Sequence, residues 1–589
     1  MTNNFIIYEM KKTTITLIQL ILFLNLLSAN SRAPGALLSY ELLDTKTYQE
    51  TYDEIGSYLS PPPLVICGSS IYSITYETVD PFGNYHVASG SVTIPDINEY
   101  RPMLTWAHGT QLERDNVTSN DGYDIITTWM GGAGFITIAP DYLGLGVSNI
   151  MHPYQQYEPS ATAVIDMMKA TEELVDELNT QWNGQHFMIG YSEGGYTVMA
   201  AQKMIEESHL HEFDLTMTAP CAGAYSMSGE MYNLMMSEQP YANPFYLPYY
   251  LFGIDYVYSD VLDDIENYLL PEFAESLPPL FDGYYSADDI NSIMPSIPIN
   301  IVKPDSIEAI KSNENHIFRQ ILREQDVFDW TPKTPMKLYH SVQDEQVPIS
   351  NSILAYNTFI ENGAEQIEYI PCDCGLHSPA ALYIILGAAT RFVNEEVLAQ
   401  KPIKISIENL SIASNTDGDM PNGTFDIVVD SDYDIGGFQF EVYGATIDSF
   451  SGGAADQNGF STSASSTTVI GFSLTGDVIP QGEYTLLSDV SFFDSQSLGK
   501  ICISDGVIAD VQAQQIPVIY GDCQSLFVQM PGDLNHDGLV DVLDVILTVS
   551  QIIDESTIDQ EDLWIIDLND DMEINISDVI MLINIILSN

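Results

Sequence analysis

A pentapeptide in the first half of the chain, Gly190-Tyr191-Ser192-Glu193-Gly194, has the G-x-S-x-G spacing of a nucleophilic serine. Glycine lacks a Cβ atom, so glycines on both sides of the serine allow the chain to turn sharply and leave the hydroxyl exposed. An apolar run at 186–189 precedes the motif, and a helix-forming segment at 195–207 follows it. Because this is the strand-turn-helix context that the motif requires, we expect Ser192 to be a nucleophile.

A serine hydroxyl attacks well only when a base takes its proton, so a histidine and an orienting carboxylate should follow Ser192. With this motif the chain order is serine, acid, histidine. Only His377 and His536 lie beyond the region that could supply the acid, and His536 belongs to C-terminal repeats. His377 is therefore the expected base. Asp344, in a loop that leaves an apolar strand, is the preferred acid, and Glu345 is the alternative.

Acyl transfer also needs hydrogen-bond donors for the oxyanion of the tetrahedral intermediate. The backbone N–H that follows the nucleophile, that of Glu193, is one expected donor. His108-Gly109-Thr110 follows an early apolar strand, so the backbone N–H of Gly109 or of Thr110 is the expected second donor. These residues predict ester or amide hydrolysis through an acyl-enzyme, with no cofactor for catalysis.

Two segments near the C-terminus carry oxygen ligands at the spacing of calcium-binding loops, with ligands at positions 1, 3, 5, 7, 9 and 12. Gly538 permits the sharp turn at position 6 of the first loop, whereas Met572 takes that position in the second. We expect each loop to bind one structural Ca²⁺. The expected ligands are Asp533, Asn535, Asp537, Leu539, Asp541 and Asp544 in the first loop and Asp567, Asn569, Asp571, Glu573, Asn575 and Asp578 in the second.

The block from 34 to 398 must position the serine, acid and histidine. It alternates short β-rich runs with longer helical patterns, which predicts an α/β domain with a mostly parallel sheet. A stretch at 225–335, rich in Tyr, Pro and Leu, breaks this rhythm and predicts an insertion that covers the site. The candidate strands are 71–77, 89–94, 103–107, 135–139, 186–189, 215–219, 336–339 and 368–370.

Three further blocks differ in composition. Residues 1–31 have a short basic start and an apolar run before small residues, which predicts a secretory signal peptide. We therefore expect a secreted product that has no transmembrane segment after cleavage. Residues 401–525 alternate apolar and polar positions between turns, which predicts an all-β sandwich. Residues 530–589 hold the two calcium loops, each followed by an apolar helix.

The charge balance excludes one class of partner. The chain has 18 Lys and Arg against 83 Asp and Glu, a formal net charge of -65. Nucleic acids and anionic lipids are bound by clustered cations, so we exclude both as partners. Hydrophobic residues make up 45%, enough for folded cores under an acidic surface. Six cysteines suit an oxidising compartment, and Cys502 and Cys523 are candidates for a disulfide.

Residues 70–395 resemble the secreted lipases and esterases of the α/β-hydrolase superfamily, most of all the secretory triacylglycerol lipase type. The resemblance implies a triad of Ser192, Asp344 and His377 and a helical lid formed by 225–335. Glu193 departs from many relatives, which have a neutral residue there, and its carboxylate could disfavour anionic substrates. The segments that carry the resemblance are His108-Gly109-Thr110, Pro140-Asp141-Tyr142-Leu143-Gly144, Gly190-Tyr191-Ser192-Glu193-Gly194-Gly195, Asp344 with Val347-Pro348, and His377.

The C-terminal repeats resemble a type I dockerin module. The 401–525 block, with Asp434-Ile435-Gly436-Gly437-Phe438-Gln439-Phe440, is more loosely similar to cohesin-like sandwiches, and a carbohydrate-binding or spacer sandwich is the alternative. Dockerins bind cohesins, so the resemblance implies a cohesin partner on another protein or on another copy of this chain. It also implies attachment to a cell surface.

Two classes of function remain. The leading class is a secreted serine carboxylic-ester hydrolase. The resemblance to lidded lipases favours lipid esters as its substrates. The dockerin context favours acetyl or feruloyl esters of polysaccharide in a cellulosome-like assembly. A serine peptidase is a lesser branch, because the same triad can cleave amides. The competing class is a non-catalytic assembly or adhesion protein.

Overall fold

The computed structural model of the protein describes residues 33–526 except 60–61, 123, 210–211, 214, 260, 263, 396, 399, 413–421 and 495–499. Nearer the C-terminus it describes 532, 534, 540, 542–554, 565–566, 568, 574 and 576–588. The expected signal peptide, 1–31, lies outside the described residues. The expected calcium ligands also lie outside them, except for Asp544 and Asp578.

One mixed sheet organises the first 400 residues, and nine strands can be described in it. Their spatial order is β1-β2-β3-β5-β4-β6-β7-β8-β9. Neighbours are antiparallel from β1 through β3 to β5 and parallel from β5 onward to β9. The strands are β1 (Leu37–Lys46), β2 (Ser69–Val79), β3 (Tyr85–Pro95), β4 (Arg101–Ala107), β5 (Ile136–Pro140), β6 (Trp182–Tyr191), β7 (Leu215–Cys221), β8 (Met336–Ser341) and β9 (Ile367–Cys372).

Helices cover both faces of this sheet, and strand β6 explains the need for two layers. Phe187 and Ile189 contribute to the apolar core on one face, whereas Met188 contributes to the core on the other. A strand buried on both faces is typical of a parallel sheet. The helices outside the insertion are α1 (Tyr48–Tyr58), α2 (Thr118–Asp121), α3 (Ile125–Gly132), α4 (Tyr157–Glu177) and α5 (Glu193–Met204), with two more after the insertion.

The segment between β7 and β8 forms a cap of short helices. Its apolar residues, among them Leu251 and Ile301, are buried in the same core as Val164 of α4. Thr218 of β7 pairs with Met336 of β8 in a parallel ladder, so the chain leaves the sheet at the carboxyl end of β7 and re-enters it at the amino end of the neighbouring strand. The cap helices are α6 (Tyr232–Met235), α7 (Tyr246–Val257), α8 (Pro271–Ser276), α9 (Ala287–Asn291), α10 (Pro304–Ser312) and α11 (Ile317–Glu324), and α12 (Ser350–Glu361) and α13 (His377–Glu395) follow the cap.

A separate β-rich region follows α13 and forms two facing sheets. In the described chain their strand orders are β13-β16-β11-β10-β19 and β14-β15-β12-β17-β18, with β20 paired to β17. Phe425, Phe440 and Phe492 are buried between them, and a disulfide joins Cys502 to Cys523. The elements are β10 (Ile403–Ile412), β11 (Asn422–Ser431), β12 (Gly437–Tyr443), β13 (Ala445–Ser451), α14 (Gly453–Gln457), β14 (Ser461–Ala464), β15 (Thr468–Phe472), β16 (Gly482–Asp494), β17 (Lys500–Ala509), β18 (Gln515–Ile516), β19 (Val518–Tyr520) and β20 (Gln524–Ser525).

Two helices are described in the C-terminal region, α15 (Val542–Asp554) and α16 (Ile576–Ser588), and they pack against each other. Asp544 and Asp578 lie in their first turns. None of the helices in the described part of the chain combines the length and the hydropathy that crossing a bilayer requires.

Candidate active site

Ser192 lies at the turn between β6 and α5. Its φ of 62° is in the left-handed region, which a residue with a side chain rarely adopts. Gly190 and Gly194 make this turn possible. A Cβ atom on Gly190 would collide with the carbonyl of Gly194, and one on Gly194 would collide with the carbonyl of Ala107. The G-x-S-x-G spacing is therefore a packing requirement that aims the serine hydroxyl out of the carboxyl end of the sheet.

The structure brings Ser192, His377 and Asp344 together in one hydrogen-bonded line. Nε2 of His377 lies 2.8 Å from Oγ of Ser192, and Nδ1 lies 2.6 Å from Oδ2 of Asp344. The three residues follow β6, β8 and β9, which run parallel in the same sheet with β7 between β6 and β8. Their carboxyl ends meet at one edge of the sheet, so residues far apart in sequence converge there.

The carboxylate of Asp344 is fully buried, and burial acts to raise its pKa. Hydrogen bonds from the imidazoles of His340 and His377 outweigh this effect, and the pKa lies well below its ordinary value. The backbone N–H groups of Gln346 and Val347 bind the other oxygen at 2.9 and 2.8 Å. Asp344 is thus held ionised, in the state that stabilises an imidazolium.

Glu345, the alternative acid, takes a different place. Its carboxylate accepts the backbone N–H of His377 at 2.8 Å, at the first residue of α13. Tyr191 holds the same residue from the other side, because its hydroxyl donates to the His377 carbonyl at 2.6 Å. Glu345 therefore anchors the backbone of the histidine, and Asp344 contacts the imidazole.

The expected oxyanion donors surround the same hydroxyl. Glu193 begins α5, so its N–H has no carbonyl partner within the helix. Gly109 lies against the serine, since a Cβ atom built on it would be 3.7 Å from Cβ of Ser192. The hydroxyl of Thr110 lies 2.9 Å from that of Tyr154, which fixes the loop that carries both residues.

The side chain of Glu193 turns away from the cleft into the protein. It is buried, and Oε1 lies 2.7 Å from Nε2 of His152. Nδ1 of His152 lies 2.6 Å from the carbonyl of Leu143. A carbonyl can only accept, so Nδ1 carries a hydrogen and one further proton is shared between Nε2 and Oε1. The pair then has no net charge, which removes the reason to expect that Glu193 repels anionic substrates.

A pocket opens from Ser192 and His377 beneath the cap, and we call it the inner pocket. Its empty space, including the mouth, is about 630 Å³. Its walls are mostly apolar, with tyrosine hydroxyls between them. The lining includes Met227, Met231, Leu234, Met235, Tyr241 and Tyr246.

A second opening, the outer cleft, reaches Ser192 and His377 from the other side. Gly109, Thr110 and Ile385 line it. Tyr246 lines both spaces and donates to the side-chain carbonyl of Gln346 at 3.2 Å. The serine therefore lies between two separate spaces, as a residue that cleaves a two-part substrate requires.

The two expected calcium ligands that can be described are both fully buried. Oδ1 of Asp544 accepts the backbone N–H of Leu534 at 2.9 Å. Oδ1 of Asp578 accepts the N–H of Leu568 at 3.1 Å. The same contact, at the same spacing, thus closes both repeats, which fits carboxylates at the last position of a calcium loop.

Comparison with known proteins gave matches among solved structures, whereas the scan of protein-family models and the search of curated proteins found none. The ligand-bound form of the rice cell wall degrading esterase LipA from Xanthomonas oryzae has a TM-score of 0.57 and 27% identity. The match covers 62% of this chain and 99% of LipA. A Legionella pneumophila protein described as an inferred hydrolase has a TM-score of 0.56 and 26% identity, over 61% of this chain and 97% of its own.

The matched share of this chain, 62% and 61%, is about the length of the part that contains the nine-stranded sheet, its helices and the cap. The first three-fifths of the chain therefore have an α/β-hydrolase-like fold, followed by a separate β-rich region. In structure, this part of the chain is similar to esterases, which hydrolyse carboxylic esters.

Proposed function

We propose that the protein is a serine carboxylic-ester hydrolase that works through an acyl-enzyme. The observation that carries the proposal is the unbroken line from Oγ of Ser192 through both nitrogens of His377 to Oδ2 of Asp344. A nucleophile, a base and an orienting acid in this order are the groups that acyl transfer needs. The similarity to esterases supports the same class of reaction.

In the proposed reaction, Oγ of Ser192 attacks the ester carbonyl while Nε2 of His377 takes its proton. The C–O bond to the alcohol then breaks, and Nε2 returns the proton to the leaving oxygen. Water repeats the two steps, with His377 again as base and then acid, and releases the carboxylic acid and free Ser192. The ionised Asp344 stabilises the imidazolium each time.

The N–H groups of Glu193 and of Gly109 or Thr110 would bind the oxyanion in both tetrahedral intermediates. Because these donors are fixed by the α5 start and by the packed loop, they need little reorganisation when the charge develops. One such donor is worth roughly 100-fold or more in kcat.

The inner pocket favours an apolar acyl group. Methionine and leucine side chains line it and leave few polar groups for a charged substrate. Methionine is flexible, so this wall can adapt to acyl groups of different shape. We propose that the substrates are lipid-like esters whose acyl chain carries no charge. The acyl chain would bind in the inner pocket and the alcohol part in the outer cleft.

The test is hydrolysis of chromogenic esters of increasing acyl length by the wild type and by Ser192→Ala. We expect the variant to lose at least about 1,000-fold in kcat. Ser276→Ala, an exposed serine of the cap, is the matched control and should keep the wild-type rate. Equal rates in the wild type and in Ser192→Ala would reject the enzyme proposal and favour a non-catalytic assembly protein.

A second candidate is a carbohydrate esterase, which removes acetyl or feruloyl groups from polysaccharide. The specific observation is that the matched LipA is a cell wall degrading esterase. Acetylated and feruloylated xylan, assayed beside the chromogenic esters and an amide of the same acid, would separate the three branches. Release of acid from xylan at a higher kcat/KM than from lipid esters would favour the carbohydrate esterase, and amide cleavage would favour the peptidase.

We further propose that the protein is secreted and that its C-terminal repeats form a calcium-loaded dockerin module. Asp544 and Asp578 would supply ligands at the last position of each loop, and Ca²⁺ would hold each loop against its helix. The proposed partner is a cohesin-like sandwich, on another protein or at 401–525 of a second copy. Sedimentation of the full chain with Ca²⁺ and with a chelator tests the self-pairing. A monomer in both conditions would exclude a second copy as partner.

A further inference from the structure

A second histidine contacts the acid of the site. His340, in β8, is fully buried, and its Nε2 lies 3.2 Å from Oδ2 of Asp344. The same nitrogen lies 3.0 Å from the carbonyl of Val347. Nδ1 lies 2.7 Å from the hydroxyl of Ser352, which is a buried residue of α12. His340 therefore contacts the same carboxylate oxygen of Asp344 as His377 does.

The contacts of His340 fix which of its nitrogens carries a hydrogen. Both partners of Nε2, the Val347 carbonyl and the Asp344 carboxylate, can only accept, so Nε2 must be the donor. A neutral imidazole then has an acceptor at Nδ1, and the Ser352 hydroxyl can donate to it. Ser352 thus stabilises the form of His340 that donates toward Asp344.

This contact completes the hydrogen bonding of the acid. Oδ2 of Asp344 accepts from His377 and His340, and Oδ1 accepts from the N–H groups of Gln346 and Val347. Two bonds to each oxygen equal the acceptor capacity of a carboxylate. With every acceptor site occupied, the carboxylate cannot rotate or take up a proton without losing one of these bonds.

Resting on the proposed ester hydrolysis, we propose that His340 is a positioning residue that acts on His377 through Asp344. It holds the carboxylate in the plane that faces Nδ1 of His377 and takes up part of its negative charge. Both effects set the orientation and the basicity of the catalytic imidazole. Ser352 belongs to the same device, because it fixes the tautomer of His340.

The pH dependence of the reaction follows. Without the His340 hydrogen bond, Asp344 has one donor fewer and its negative charge is less well stabilised. The imidazolium of His377 then becomes more favourable, so His377 loses its proton at higher pH. The acid limb of kcat/KM should therefore move to higher pH when the donor is removed.

Other groups around the imidazoles are the same in the wild type and in the variants and cannot produce this shift. Glu345 and Tyr191 hold the backbone of His377, the phenols of Tyr241 and Tyr246 face Asp344 from the cap, Tyr225 lies beside Ser352, and Asp373 binds Gln343 in the neighbouring loop.

The experiment compares pH profiles of three variants at the site with a control. His340→Leu removes the donor at similar volume, His340→Gln keeps an N–H, and Ser352→Ala removes only the hydroxyl. His186→Gln is the control. His186 is similarly buried in β6 of the same sheet, where its ring packs against Trp182 and Phe213 and not against the triad. Urea midpoints of all four identify any variant that fails to fold.

We expect His340→Leu to lose about 10-fold in kcat with little change in KM and to shift the acid limb upward. His340→Gln should recover most of both effects, Ser352→Ala should give a part of them, and His186→Gln should give neither. An acid limb that stays in place or moves to lower pH in both His340→Leu and Ser352→Ala overturns the proposal. Ser192→Ala in the same assay separates this failure from a failure of the proposed hydrolase function.

Discussion

Two histidine–carboxylate pairs lie on either side of Ser192, and they differ in what each imidazole does with its other nitrogen. In His377–Asp344 the far nitrogen faces the serine hydroxyl. In His152–Glu193 the far nitrogen faces the carbonyl of Leu143. The far nitrogen of His377 therefore contacts a hydroxyl, which can give up a proton. The far nitrogen of His152 contacts a carbonyl, which can only accept a hydrogen bond.

The carboxylates differ in the same sense. Asp344 has all its acceptor sites filled, whereas Oε2 of Glu193 has no hydrogen-bond partner among the described residues. A carboxylate with all its hydrogen bonds made stays ionised and can stabilise an imidazolium that forms and is lost in each reaction cycle. In the Glu193 pair the hydrogen bond joins two buried side chains, and neither contacts the serine hydroxyl. The same two functional groups, an imidazole and a carboxylate, thus serve proton transfer in one place and the fixing of a helix start in the other.

The largest effect should come from breaking the first pair by Asp344→Asn. An amide at this position no longer selects the tautomer of His377 that accepts from the serine, so kcat should fall by about 10,000-fold. Glu345→Gln is the matched control and should lose less than about 10-fold, because Glu345 contacts only the backbone of His377. The reverse ranking in a steady-state assay would identify Glu345 as the acid.

Breaking the second pair should act mainly on stability. Glu193→Leu leaves Nε2 of His152 buried without a partner, so the free energy of unfolding should fall by about 3 kcal/mol. Glu193→Gln can still hydrogen-bond the ring and should lose less than about 1 kcal/mol. Urea titration measures both variants. Equal losses would show that the hydrogen bond to His152 is not what holds the start of α5.

Acid should affect the first pair only at very low pH. The folded pKa of Asp344 lies below its unfolded value, so its stabilisation is complete above about pH 4 and is lost as pH falls through the folded pKa. The difference in unfolding free energy between the wild type and Asp344→Asn should therefore be constant from pH 5 to 8. It should narrow, by roughly 1 kcal/mol, below about pH 4. A difference that narrows already near pH 6 would contradict the lowered pKa.

Glu172 is a carboxyl group that has no histidine partner in the part of the chain that the structure describes, and it can be compared with the two pairs. Burial, together with Asp176 and Glu212, raises the pKa of Glu172 to about 8. A raised folded pKa means that stability is lost as pH rises from the unfolded pKa toward the folded one, because the unfolded carboxyl ionises while the folded one keeps its proton. Glu172→Gln should leave the urea midpoint unchanged at pH 5 and raise stability by about 1 kcal/mol at pH 9. Equal urea midpoints of the wild type and Glu172→Gln at both pH values would contradict the raised pKa of Glu172.

The residues that form the hydrogen-bonded line were predictable because each had a local or an ordering signal. Ser192 has its glycines, and Asp344 and His377 follow from the chain order of acid and histidine. Glu193 was predicted as a backbone donor, and its carboxylate was expected to act on anionic substrates. Its partner His152 lies far away in sequence and has no motif, so the burial and pairing of this carboxylate could not be inferred.

His340 was missed for a related reason. The chain order of the motif admits as base only a histidine that follows the acid, and the sequence of a strand does not show which residues pack against its histidine. Strand β1 was missed because it is an edge strand with most of its side chains exposed, including Tyr40 and Leu42. Without a buried face, no apolar alternation marks it. Patterns of burial predict elements well, and they predict contacts between elements poorly.

The junction of the cap with the sheet has a consequence for how such an enzyme can diversify. The cap departs after Cys221 and returns at Met336, and Cys221 itself pairs with Tyr339 on the returning strand. An insertion that joins two neighbouring strands of one ladder can change in length at little entropic cost, because the entropy of closing a loop depends only weakly on its length. Selection can therefore exchange one cap for another, and with it the range of molecules admitted, while the strands that carry the serine, acid and histidine keep their register.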